Sequence, residues 1–291
     1  MTQKLNESIT ESTANYKPLK IIMNQIKRIF SLISNQDYFD KKYLNLLREI
    51  ATVQFKLKDQ STLFGFIWSF FHPVILLIIL FAVFSLRLGE NVEHYKIYLF
   101  IGIIQYTYFA NSTSSALKVL SSMRQLTTNV IFPKEVLVIG SVVSNTIIFL
   151  LTMAICIIIA FFTGVKISWS TLMLPLVMLL ELMLVLWVSL LLSCLYVFFR
   201  DLDDVYQVFL RGLFIITPIF YTMSFLGEGL AKSIVLFNPL TYLIDFSRTL
   251  IINGEVISFK LFLPLFLVNA IFILISLKIF KQYEPKFAEN L

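Results

Sequence analysis

Charge is scarce in this sequence. Asp, Glu, Lys and Arg together make up 14% of its 291 residues, against roughly a quarter in a soluble globular chain. So little charge cannot dress the surface of a water-soluble fold of this size. Histidine occurs only at His72 and His94, in separate segments, which argues against a histidine-based zinc site. Cysteine is equally rare. Cys156 and Cys194 each sit in an apolar run and read as buried, reduced packing residues rather than a disulfide or metal pair. There is no G-x-x-x-x-G-K-[ST] loop, no G-x-G-x-x-G turn and no G-x-S-x-G elbow, so neither a phosphate cradle nor a nucleophile elbow is available. The chain is therefore expected to be no enzyme, with no cofactor and no metal of its own. No secretory leader is expected either, because the first long apolar run begins only at Leu63.

What the sequence has instead is apolar length: 58% of its residues are hydrophobic. An apolar helix of about 20 residues crosses a bilayer core, and six stretches qualify: roughly Ile67–Leu86, Ile97–Leu117, Val136–Thr163, Leu172–Phe199, Val205–Phe225 and Leu261–Ile279. The expected fold is all-α, a polytopic membrane protein with six transmembrane helices. Four regions follow: a polar and amphipathic N-terminal extension (1–39), a cytoplasmic interface helix (40–66), the membrane domain (67–279) and a cytoplasmic tail (280–291). Six spans put both termini on one side. With the N terminus inside, 18 Lys and Arg lie inside and six outside, which makes that side cytoplasmic. This count assigns Arg211 to an inner loop and Arg248 to the outside. The net charge of +6 thus reflects topology and not nucleic-acid binding.

Three local patterns stand out. Residues 20–34 place Ile22, Ile26, Ile29, Phe30 and Ile33 at helical spacing among basic residues, a short amphipathic helix. Residues 40–58 sort more cleanly, with Leu46, Ile50, Val53 and Leu57 on one arc and Arg48, Glu49 and Lys56 on the other. Such a helix lies in the membrane interface or packs on a partner; only Gln54 and Lys58 fall on the wrong side. Between the fifth and sixth spans, 226–260 holds two short apolar pieces broken at Asn238-Pro239, which predicts a re-entrant pair.

The candidate functional residues follow from polarity and aromaticity at membrane depth. The second half of the second span, QYTYFANSTSSA, is too polar for lipid and is expected to face protein or an aqueous path. Aromatic clusters at Trp68, Phe70 and Phe71, at Tyr106, Tyr108 and Phe109, and at Phe220, Tyr221 and Phe225 fit interfacial belts and core packing. They also fit a conduit in which rings stack on sugar faces. His72, just before Pro73, stands at the start of the first span. Glu181 lies midway along the fourth and reads as a packed carboxyl. Arg200 is followed by Asp201, Asp203 and Asp204, which suit an N-terminal cap for the fifth span.

In their order along the chain, these segments resemble a known family. An amphipathic helix leads into LFGFIWSFFHP. Phe132-Pro133 opens the third span, and Phe199-Arg200-Asp201-Leu202 joins the fourth to the fifth. TPIFY lies at 217–221, FNPLTYLIDFSR at 237–248, and EPKFAENL closes the chain. Over roughly 40–291 the chain resembles the permease subunit of ABC-2 type exporters of cell-surface polysaccharides, O-antigens and teichoic acids. The resemblance implies a homodimer in the bacterial cytoplasmic (inner) membrane and a separate ABC ATPase that binds ATP and Mg. The cargo would be a lipid-linked glycan or polyol-phosphate polymer. It implies a pore lined by the first, second and fifth spans, with Trp68, Phe71, His72, Tyr106, Tyr108, Phe109, Arg211, Phe220 and Tyr221 as candidates. A coupling helix near Leu120–Leu126 would dock on the ATPase through Leu120, Met123, Arg124 and Leu126, with Lys134 beside it and Arg200 and Asp201 on the next loop. The rival readings are a proton-coupled secondary transporter, with Glu181 and His72 as relay, and a membrane glycosyl- or acyltransferase. No internal repeat supports the first, and no paired acids with a histidine support the second.

Overall fold

The computed structural model describes residues 39–59, 65–89, 92–130 and 132–291. The extension up to residue 38, with the helix expected at 20–34, lies outside the described residues, as do the side chains of Trp68 and Phe70. Among the described residues every regular element is a helix.

The long helices are α1 (Phe39–Asp59), α2 (Gly65–Leu88), α3 (Tyr95–Ser122), α5 (Glu135–Phe162), α6 (Leu174–Phe198), α7 (Leu202–Ile216) and α10 (Phe259–Tyr283). The short ones are α4 (Arg124–Asn129), α8 (Leu230–Phe237), α9 (Pro239–Arg248) and α11 (Phe287–Asn290). Among the described residues, four helical stretches are long and apolar enough to cross a membrane, and a bent pair makes up to five. The chain is thus a multi-pass membrane protein. Two of the six expected spans fall short on these measures, for different reasons. α3 is long but polar in its second half. The fifth span, expected over Val205–Phe225, ends at Ile216, and its 15 residues rise only about 22 Å. Pro218 explains the early stop, since the residue before a proline is pushed out of the helical region. Thr217 is extended, at φ −71° and ψ 131°.

α3 is the central helix. It packs against α2, α5, α6, α7 and α9, and Leu99, Ile101, Ile103, Ala116, Leu117 and Leu120 along it are fully buried. α1 lies across the start of α5. Its apolar arc, Leu46, Ile50, Ala51 and Val53, is buried, so this face is covered by the chain itself. Gly140 permits the close crossing, because a Cβ there would stand 2.8 Å from Ile50 Cγ2. Two hydrogen bonds fix the register: Ser144 Oγ donates to the Ala51 carbonyl at 2.8 Å and Gln54 Nε2 to the Leu137 carbonyl at 3.0 Å. Gln54, off-pattern in the apolar arc, is thereby a buried donor with a partner.

The chain's end folds back on the bundle. Phe280 and Phe287 are fully buried and meet edge to face at 5.2 Å. Glu284 accepts from the Lys134 backbone N–H at 2.8 Å, and Arg200 donates to the Leu291 carbonyl at 3.4 Å. α11 thereby rests on α4.

Substituting Gly140→Ala should push α1 off α5 and cost about 1–3 kcal/mol, the usual range for overpacking. Thermal unfolding of the full chain in detergent reads this as a lowered Tm, and an unchanged Tm would mean that α1 is not seated on α5.

Candidate functional site

The polar half of α3 divides its side chains between two tasks. One set bonds to neighbouring helices. Gln105 Nε2 donates to Ser247 Oγ, and Tyr106 OH donates to the Leu210 carbonyl. Tyr108 OH and Thr146 Oγ1 share a hydrogen bond of 2.9 Å, and the Tyr108 ring stacks on Phe149 at 4.2 Å. Tyr206 OH donates to Thr113 Oγ1 at 2.7 Å, Gln207 Nε2 to Ser114 Oγ at 3.3 Å, and Lys118 pairs with Asp203 at 2.6 Å. Partners rise on α7 as they fall on α3, so the two helices run antiparallel and are joined by polar contacts over most of α7.

The other set faces open space. Thr107, Asn111 and Ser114, the last also accepting from Gln207, recur at helical spacing on one face of α3 and line two hollows, one on each side of α2. The smaller, about 330 Å³, lies against α5 and adds Asn145 and Thr152. The larger, about 560 Å³, lies between α2 and α7 and adds Gln207 and Arg211. His72 lines both. Among the described lining residues none is acidic. Hydroxyls, amides, an imidazole and the Arg211 guanidinium thus converge on the two hollows beside the central helix. Such a surface offers hydrogen bonds to a polar, uncharged or anionic solute, with no metal-ligand set and no nucleophile–base pair on its walls.

The end of α7 is held differently. Arg248, buried on α9, reaches across to the break after α7. Its guanidinium donates to the Pro218 carbonyl at 2.8 Å, the Ile219 carbonyl at 2.8 Å and the Tyr98 carbonyl at 3.1 and 3.2 Å. It lies 3.4 Å from the Tyr98 ring centroid, a cation–π contact. A Cβ at Gly102 would sit 2.9 Å from that guanidinium, so the glycine makes room for it. Asn238, at the 80° bend between α8 and α9, caps α9 through Leu240 N at 3.0 Å and donates to Thr217 Oγ1 at 2.8 Å.

The candidate residues from sequence therefore occupy several places. His72 and Arg211 face the larger hollow with Tyr106; Tyr108 lines the smaller one. Phe109 instead lines an apolar cleft between α6 and α7 with Trp187 and Leu213. Phe220 stacks on Phe84 at 4.7 Å, and Tyr221 donates to the Ile216 carbonyl at 2.6 Å; both belong to the fastening around Arg248. Phe71 is 53% exposed and lines neither hollow. Trp68 lies on α2, its side chain outside the described residues. Arg211 is not in a loop but nine residues into α7. Asp201 occupies the N-cap of α7 without a side-chain capping bond, while Asp203 is spent on Lys118. Glu181 is fully buried on α6 with neither oxygen hydrogen-bonded, and it lines neither hollow.

Of the coupling candidates, Leu120 is fully buried, Met123 and Leu126 are half-buried, and Arg124 is exposed beside Gln125. Lys134 Nζ donates to the Val130 carbonyl at 2.9 Å, and burial lowers its pKa while Glu284 opposes the shift. Arg200 and Asp201 are both exposed. The sequence reading flagged the polar stretch that holds Thr107, Asn111 and Ser114 without naming them as candidates, and it passed over Gln207 and Asn145. The signal for the first three was available in their i, i+4, i+7 spacing.

The model of the ABC-2 type transporter family matches residues 46–252. The chain belongs to the ABC-2 type transporter family. Two relatives carry the name O-antigen export system permease protein RfbA. That from Myxococcus xanthus is 24% identical over 251 residues, covering 86% of this chain and 96% of the relative. That from Klebsiella pneumoniae is 27% identical over 248 residues, covering 85% and 95%. An ABC-2 permease is a transport subunit rather than an enzyme. The ABC-2 match spans α1 to the end of the Arg248 segment, and so takes in both hollows.

Replacing Arg248 by Met should strip the carbonyls of Tyr98, Pro218 and Ile219 of their donors and cost about 1.5–3 kcal/mol or more. Hydrogen exchange over 216–221 in the full chain should speed up markedly. Unchanged protection there would mean that another contact holds the break.

Proposed function

We propose that this chain is the membrane-spanning subunit of an ATP-driven exporter that moves a cell-surface polysaccharide across the bacterial inner membrane. The observation that carries the reading is the row of hydroxyls and amides on α3, open to two hollows in a largely apolar bundle. A glycan offers many weak hydrogen bonds and no single reactive group, and a polar wall of this kind can hold it without a tight site. The relatives' names, over 85–86% of this chain, support a polymer of the O-antigen class, and a teichoic-acid-like chain fits the same wall.

In this reading α2, α3, α5, α6, α7 and α10 are the six spans, with both termini cytoplasmic. α7 completes its crossing through the extended residues after Thr217. α8 and α9 form a re-entrant pair on the outer side, and α1 lies along the inner interface. Two copies enclose the conduit between them. ATP and Mg belong to a separate ATPase, which docks on the exposed side of α4 through Arg124 and Gln125. The buried side of α4 rests on the chain's own α11, and Thr127 on it donates to the Leu120 carbonyl of α3 at 3.0 Å, so movement at the docking face reaches α3 directly. The glycan enters attached to a lipid carrier. That Glu181 and His72 share no hollow argues against a proton relay.

Deleting the gene should remove the polymer from the cell surface and leave it accumulating inside. Arg124→Glu should reproduce the loss while the permease stays in the membrane and its ATPase no longer co-purifies. Surface polymer undiminished in the deletion strain would contradict the reading.

A further inference from the structure

α4 is too short to hold itself. It has six residues, and an isolated helix shorter than about 12 residues is marginal in water. Its pose must come from what it packs on. Among the described helices it makes substantial contact only with α3, which leads into it, and with α11. The tie to α3 is Thr127, whose Oγ1 donates to the Leu120 carbonyl at 3.0 Å. A helix joined to one neighbour through a short turn can swing about that turn. Only the contact from α11, a segment distant in sequence, bears on it from another side.

Residues 284–291 have the form of a wedge. Pro285 lacks the N–H that would extend α10, and the chain turns through Glu284–Lys286 into α11. Phe287 and Leu291, at i and i+4 and so on one helical face, are buried, while Ala288, Glu289 and Asn290 are exposed. The Phe287 ring meets Phe280 of α10 at 5.2 Å and Phe198, the last residue of α6, at 6.2 Å. Phe198 in turn meets Tyr283 at 5.8 Å. Glu284 accepts from the Lys134 N–H at 2.8 Å, at the N-cap of α5, where a carboxylate also suits the positive end of the helix. Arg200, between α6 and α7, donates to the Leu291 carbonyl at 3.4 Å. The wedge therefore touches α4 on one side and α5, α6 and α10 on the others. α6 packs on both α10 and α3, so a push on the wedge returns to the central helix by a second route.

We propose that residues 284–291 are a brace that fixes the pose of α4 and carries its displacement into α6 and α10. Phe287 is the positioning residue, because its ring joins α10 to the end of α6 directly beneath the contact with α4. Force at α4 then enters the bundle from two sides, through α3 and through the brace. The brace itself is a matter of this chain's own packing. Its part in coupling rests on the exporter reading, in which the exposed side of α4 meets the ATPase.

The test begins with the full chain in lipid nanodiscs. In Phe287→Ala, hydrogen exchange over 124–130 should speed up by roughly tenfold or more, while exchange over 216–221, at the far end of α7, stays as in wild type. Phe287→Leu keeps an apolar anchor and should restore most of the protection. Glu284→Ala leaves the aromatic cluster whole and should give a smaller acceleration over the same residues. Unchanged exchange over 124–130 in Phe287→Ala overturns the brace; where that variant does not fold, unchanged exchange in Glu284→Ala does so. Coupling is read in cells: Phe287→Ala should lower surface polymer severalfold while the ATPase still co-purifies and still hydrolyses ATP. Surface polymer at the wild-type level, alongside faster exchange over 124–130, leaves the brace standing and overturns its part in coupling. The exporter reading is scored apart, by surface polymer in the deletion strain. Polymer undiminished there sinks that reading and the coupling role with it, and the exchange over 124–130 still decides the brace.

Discussion

A polar side chain at membrane depth has no water to bond, so its partner must be in the protein or in a cavity the protein encloses. α3 concentrates that constraint, because its second half is polar on nearly every side while its neighbours are apolar. The rest of the bundle can be understood as the answer. Thr146 is supplied by α5, Ser247 by α9, and Tyr206, Gln207 and the Leu210 carbonyl by α7. What these helices leave unsatisfied, Thr107 and Asn111 above all, opens onto the two hollows. The candidate functional surface is therefore the part of α3 that packing does not consume.

The same constraint makes α7 the element best placed to change the site. It is too short to cross a bilayer as a helix and is held at both ends: by Lys118 to Asp203 where it begins, and through Asn238 and Arg248 where it breaks at Thr217. Between these ends its contacts with α3 are single hydrogen bonds, each worth about 1 kcal/mol net. A shift of α7 along α3 would exchange these bonds one for another and alter the width of the larger hollow. The fastening around Arg248 opposes such a shift, because its carbonyl partners sit on the break itself. Function of this kind needs a strong anchor beside weak, replaceable contacts, and the two are separated along one helix.

Much of this was legible from residues alone. The helical class, the bend at Asn238-Pro239 and the amphipathic helix before the first span are local signals. Each follows from periodicity or from proline and glycine chemistry, and each appears within a few residues of where the pattern puts it. The polar half of α3 was equally visible, together with the alternatives of protein and aqueous path; the structure gives much of it protein partners and leaves the rest beside two hollows. Less legible was anything that depends on which neighbour arrives. Gln54 looked like an error in an apolar arc until α5 supplied the Leu137 carbonyl. Arg248 counted as an outer loop charge, although it is buried among carbonyls from two other segments. Arg211 counted as an inner loop charge even though the fifth span was expected from Val205, and it stands on α7, which begins at Leu202. Aromatic clusters were a poor guide to the hollows, since ring stacking in a core and ring stacking along a path look alike in sequence. Small polar residues at helical spacing were the better signal.

The central claim is that Thr107, Asn111 and Ser114 face a water-accessible path. Cysteine accessibility measures this most directly. In a chain with Cys156 and Cys194 replaced by Ala, single cysteines at 111 and 114 are exposed to a charged, membrane-impermeant thiol reagent, with cysteine at the fully buried Ile103 as control. The account predicts modification at 111 and 114, none at 103, and a rate at 111 that changes when the ATPase turns over. Inert cysteines at both 111 and 114, in protein that still exports, would contradict it.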